Sequence, residues 1–214
     1  VAIAISSINH LITLAIAGSF FFFMLRMRVT DEFKDSHHDN LNYPNRPVQR
    51  GIISRKQLIA IGVISLLAEV SCVLGASWLA GNFRAAFYYI FILAYSVLTR
   101  FEFFAPKFLD RHFNLYFLSH QAIFVFYPVW VFNLLNTDLD FKAITLSGAF
   151  ILFMANMEIM RKYEIRLSPQ GEPVNDTYLS VWKSAAFWIM FCINAVCALV
   201  MFNAYQLPIY AILG

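Results

Sequence analysis

The sequence predicts an all-α integral membrane protein, and composition, run length and charge placement each lead there. Of 214 residues, 60% are hydrophobic and 14% charged, with mean hydropathy +0.62. Soluble domains carry about 25% charge and about 45–50% apolar residues. The apolar residues fall in runs of about 20, the length a helix needs to cross hydrocarbon about 30 Å thick. The runs are too long for strands and apolar on every side, as suits helices facing lipid. The three cysteines, Cys72, Cys192 and Cys197, all lie inside such runs. That argues against a disulfide framework or a thiolate metal centre and leaves them as small hydrophobes.

Taken in order, a first span covers residues 1–26, with Phe20–Phe23 at its end and Arg26 and Arg28 as a basic collar. Further spans run over Gln57–Ala80, a shorter Ala85–Thr99, His112–Leu135, Phe141–Met160 and Val181–Tyr205, and a seventh begins after Pro208. The chain starts at Val1 inside one apolar run and stops at Gly214 inside another, so both ends are expected to be cut from a longer protein. Of the 16 lysines and arginines, 14 fall in alternate loops and only Arg84 and Lys142 in the others. The positive-inside rule assigns the fourteen, and with them the polar loops, to the cytoplasmic face of a multi-pass protein. A transporter is disfavoured because no charged mid-membrane residue or broken helix stands out.

The longest polar interruption is Asp31–Gly51, which gathers four carboxylates and three basic residues into 21 positions. Glu32, Asp35 and Asp39 stand at i, i+3 and i+7. A helix continuing from the first span would stack them on one face. Clustered hard oxygen ligands of this kind suit Mg²⁺ bridging to substrate phosphates; the plainer reading is a solvated loop between two helices.

This stretch resembles the first signature of the UbiA superfamily of intramembrane prenyltransferases: Asn-Asp-x-x-Asp-x-x-x-Asp, a spacer, then Asn-Arg-Pro-x-x-x-Gly. Asn45-Arg46-Pro47 and Gly51 match; Asp31 replaces the family's Asn and Glu32 its first Asp, each keeping an oxygen ligand. Ala94-Tyr95-Ser96 with Arg100 is similar to the segment closing the family's fourth helix. The resemblance implies a helical bundle of the UbiA type, a single transmembrane domain over 1–214 holding about six or seven of the family's nine helices. The first helix and the last ones would then be absent. It also implies transfer of an isoprenyl group from an isoprenyl diphosphate to a lipophilic acceptor, through ionisation to an allylic cation. On this reading Glu32, Asp35 and Asp39 hold Mg²⁺, while Arg46, Arg100, Arg161 and Lys162 bind diphosphate.

The family's second signature is degenerate here. Met157–Arg166 keeps Glu158 and has Arg161 where Lys is common, but Lys162 and Ile165 stand where aspartates are expected. Asp176-Thr177-Tyr178 loosely resembles the stretch before the family's seventh helix. Two readings stay open. Arg161 and Lys162 replace a second Mg²⁺ as counter-charge for diphosphate, with Glu158 orienting the cations. Alternatively the chain is a non-catalytic membrane subunit that binds a lipid, quinone or pigment within a larger complex. Membrane lipids are expected partners in either case, nucleic acid in neither. His37 and His38 read as solvent-facing, His10 and His120, with Gln121 beside the latter, equally as functional groups or as interhelical hydrogen-bonding groups, and Asn156 as a neighbour of the second site. Most phenylalanines read as packing or lipid contact, and Trp130, Trp182 and Trp188 partly as interfacial belt.

Overall fold

The computed structural model describes residues 2–138, 140–174 and 177–205. Asp176 and the span expected after Pro208 lie outside the described residues. The chain resolves into two compact units, Val1–Thr137 and Asp138–Gly214.

In the first unit, α1 (Ala2–Lys34) carries the first span without interruption into the polar stretch, and a short α2 (Ser36–Asn42) follows it. α3 (Arg55–Leu79) and α4 (Arg84–Arg100) come next, joined by a tight turn at Gly81. A single 3-10 turn at Glu102–Phe104 leads to α5 (Pro106–Arg111), α6 (Phe113–Gln121) and α7 (Ile123–Leu135). Pro128 inside α7 has no N–H to give the carbonyl one turn back. α1 packs along α3, and α4 along α7. Gly18 lets α1 and α3 approach closely, since a Cβ there would lie 3.0 Å from Cys72 Sγ.

α3 is built inside out. Ser65, Glu69, Ala76 and Ser77 are buried, while Ile59, Ile64, Leu67 and Trp78 are exposed. A helix that hides its polar stripe and shows its apolar one has lipid for solvent. The unit's core is aromatic: Trp130, fully buried, packs edge-on against Tyr89 and Tyr127, and Phe20 and Phe23 close over Tyr127. The interfacial reading of Trp130 is thereby corrected, whereas Trp188 is exposed.

In the second unit, α8 (Phe141–Arg161) packs along α10 (Ser184–Tyr205). Between them lie a two-stranded antiparallel hairpin, β1 (Arg166–Leu167) and β2 (Pro173–Val174), and a short α9 (Tyr178–Trp182). Asp140 caps α8 by accepting from the Ala143 N–H at 2.7 Å, and Thr177 opens α9 with a capping box. Asn156 Nδ2 on α8 donates to Asn194 Oδ1 on α10 at 3.2 Å, a side-chain hydrogen bond between the two helices.

The protein is thus all-α in its membrane part. Among the described residues, four helices are long and apolar enough to cross a bilayer: His10–Lys34, Arg55–Leu79, Phe113–Leu135 and Ala143–Arg161. These match the first, second, fourth and fifth expected spans. The third, α4, has 17 residues, and the apolar Ser184–Val200 is also shorter.

Candidate functional site

The polar stretch is shaped by one bend and one return loop. α1 ends at Lys34, and Asp35 sits at φ −88°, ψ 2°, in the bridge region between helix and strand. The hydrogen-bond ladder nevertheless runs on, Asp35 N–H to Asp31 O and Asp39 N–H to Asp35 O, each at 2.8 Å. The bend interrupts the expected uniform stack, and two of its three carboxylates already have cations. Arg28 pairs with Glu32 one turn away, and Arg46 pairs with Asp39, which is only 2% exposed. Asp35 makes no side-chain hydrogen bond or ion pair among the described residues, although Lys34 lies beside it.

The Arg-Pro-x-x-x-Gly segment explains itself as the device that returns Arg46 to Asp39. The Pro47 carbonyl accepts from Ile52 N–H at 2.9 Å, and Gly51 turns the chain at φ +74°, a conformation costly for residues with a Cβ. Ser54 then starts α3 through a capping box with Gln57. Arg46 also lies 4.4 Å above the Tyr43 ring, so the guanidinium is held from two sides.

The same end of this unit collects more polar groups. Lys34 Nζ donates to Tyr116 Oη at 3.1 Å and pairs with Glu102 at 3.3 Å. This ties the motif's helix to the segment after Arg100. That segment is strained, with Glu102, Phe103 and Phe104 at φ 48°, 53° and 59°. Arg100 lines a cavity of about 250 Å³ together with Arg26, Thr30, Phe33 and Ser96.

Arg26 does not act as a basic collar. Its Nε and Nη2 donate to Glu69 at 2.6 and 3.0 Å and its Nη1 to Ser96 Oγ at 3.0 Å, and Tyr89 Oη adds a bond to Glu69 at 2.9 Å. Glu69 lies mid-span and is completely buried. The expectation that the spans lack charged mid-membrane residues is therefore overturned. The signal was available, because a carboxylate inside a 25-residue apolar helix is a functional candidate by position alone.

The second unit carries the degenerate signature. Arg161 makes two hydrogen bonds to Glu158, both 2.9 Å, Lys162 Nζ lies 3.6 Å from it, and Tyr178 Oη donates at 3.4 Å. Glu158 thus lies against both cations. His37 and His38 are exposed, with His38 against Asn42 and Tyr43.

Among the described residues no three His, Cys, Asp or Glu side chains converge as a metal shell, so Glu32, Asp35 and Asp39 are not preassembled as one. Mg²⁺ does not require such a cage. It keeps waters and is commonly held by one or two carboxylates plus substrate phosphate oxygens. The donor chemistry around Asp35 fits a Mg²⁺ completed by a diphosphate.

No curated protein and no solved structure matches the chain. The model of the UbiA prenyltransferase family matches residues 1–214. With the return loop and the helix-borne carboxylates behind that match, the chain belongs to the UbiA prenyltransferase family.

Proposed function

We propose that this chain transfers an isoprenyl group from an isoprenyl diphosphate to a lipophilic acceptor, as one transmembrane domain whose motif loops face the cytoplasm. The observation that carries the reading is the gathering of three carboxylates around the Asp35 bend, with arginines against Glu32 and Asp39 and Lys34 as a charge partner of Asp35. Glu32, Asp35 and Asp39 would hold Mg²⁺, which when bound supplies charge to offset that of the leaving diphosphate. The chain's own cations do the rest. Arg46 and Arg100 bind diphosphate oxygens in the first unit; in the second unit Arg161 and Lys162, oriented by Glu158, form a cation pair suited by itself to diphosphate oxygens. The allylic C–O bond breaks with its electron pair leaving on diphosphate. The acceptor's nucleophilic carbon or oxygen then forms the new bond and gives up its proton. The lipid-facing aromatic and aliphatic surround excludes water from the cation.

Calorimetry with a non-hydrolysable geranylgeranyl diphosphate analogue tests this on the full chain in detergent. Binding is expected to require Mg²⁺, and Asp35→Asn is expected to remove that requirement together with most of the affinity and the transfer activity. The pairing of Glu158 with both Arg161 and Lys162 favours a second reading, a subunit that keeps the fold and binds a lipid, quinone or pigment without chemistry. Absence of any analogue binding would support it.

A further inference from the structure

A carboxylate and a guanidinium buried together in a lipid-spanning bundle need a reason. Intramembrane ionisable groups are costly, and packed hydrophobes hold helices together as well as a buried ion pair does. A purely structural strut between α1 and α3 had no need of Arg26 and Glu69. What distinguishes this pair is that Arg26 keeps unused donors and lines a pocket. Of the five N–H groups of a guanidinium, three of Arg26's are taken by Glu69 and Ser96, which leaves two. Arg26 lines the cavity that also contains Thr30, Phe33, Ser96, Arg100 and Phe101.

That cavity has the properties of a subsite. It is an open groove of about 250 Å³, less than the roughly 300–1,000 Å³ of pockets that enclose a whole ligand, so it can hold only one end of a larger molecule. Glu69 cancels the charge of Arg26, and Arg100 supplies a net positive charge. The two guanidiniums favour an anionic oxygen-rich group; the Thr30 and Ser96 hydroxyls already donate to the Arg26 and Leu93 carbonyls. Thr30 and Phe33 lie on the last turns of α1, directly before Asp35.

We propose that Arg26 is a further binding residue for the donor's diphosphate, and that Glu69 is the positioning residue that aims it into the cavity beside Arg100. This rests on the prenyl-diphosphate reading above. Glu69 fixes the guanidinium plane through two bonds from one side, Tyr89 holds Glu69 in turn, and Phe23 lies 5.6 Å from the guanidinium carbon. The remaining donors are thereby preorganised before any ligand enters.

The test is calorimetric titration of the full chain in nanodiscs with geranylgeranyl thiodiphosphate, and separately with inorganic pyrophosphate. Wild type, Arg26→Gln, Glu69→Gln and the double variant are compared, with thermal melts to establish folding. Each single variant is expected to weaken both ligands about tenfold, and the double variant no more than Arg26→Gln alone, because Glu69 acts only through Arg26. Unchanged affinities in folded single variants would overturn the proposal and leave the pair a strut. Should Glu69→Gln fail to fold, Ser96→Ala removes one anchor of Arg26 while sparing the ion pair, and it is expected to weaken both ligands two- to threefold, in the range of one neutral hydrogen bond. No change there also counts against the assignment. Failure of wild type to bind either ligand would overturn the diphosphate reading itself, and this inference with it.

Discussion

Gly51 is the residue on which the first motif turns. Its φ of +74° puts it in the left-handed region, and a Cβ there would meet nothing within 4 Å. The need for glycine is therefore conformational and not steric. Gly51→Ala is expected to lose about 1–2 kcal/mol, seen as a lower midpoint of thermal unfolding. Gly51→Asn should lose less, since Asn tolerates this conformation better. Both variants loosen the loop that returns Arg46 to Asp39, so the Mg²⁺-dependent binding assay should follow the same order. The motif's Arg, Pro and Gly were legible as a pattern; their task, swinging a cation back onto a buried carboxylate, was not. Partner choice across seven residues depends on a turn geometry that spacing alone leaves open.

At the scale of elements, the contact between α1 and α3 decides where the site stands. Gly18 faces Cys72 with room for little more than hydrogen, a Cβ falling 3.0 Å from the sulfur. Gly18→Leu is expected to push the helices apart and destabilise the fold by about 1–3 kcal/mol, measured by unfolding in detergent. Pairing it with Cys72→Ala should recover part of that loss, because the variants share one contact. Displacing α1 also shifts Arg26 away from Glu69, so donor affinity should fall in the single variant and partly return in the double. The helices themselves were plain from their apolar runs. Their exact ends were set by local devices, the capping boxes at Ser54 and Thr177 and the bend at Asp35, and the hairpin after α8 carried no periodic signal because each strand is two residues long.

At the scale of the whole molecule, the two ends of the first unit carry different groups. Within the first unit, Lys34, Glu102 and Tyr116 meet at one end, while Asn82 bonds the Asn133 carbonyl at 2.6 Å near the turn between α3 and α4. With 14 of 16 basic residues in loops of one parity, the motif end is expected in the cytoplasm. In a background lacking native cysteines, His37→Cys and Asp110→Cys should label with an impermeant maleimide only from the cytoplasmic side. A cysteine at Asn82 should label only from the other side. Labelling of His37→Cys from outside would reverse the assignment.

The sequence by itself determined the class of this protein, a helical membrane chain, because run length and composition answer directly to the thickness and dielectric of lipid. It also determined the family, because the carboxylate spacing and the Asn45-Arg46-Pro47 segment are local in the chain. Only the tertiary structure decided which charges meet. It paired Arg26 with Glu69 across 43 positions and buried Trp130 in an aromatic core. Such pairings form between helices whose relative rotation follows from side-chain packing, and no period or motif in one segment encodes which face a distant segment will present.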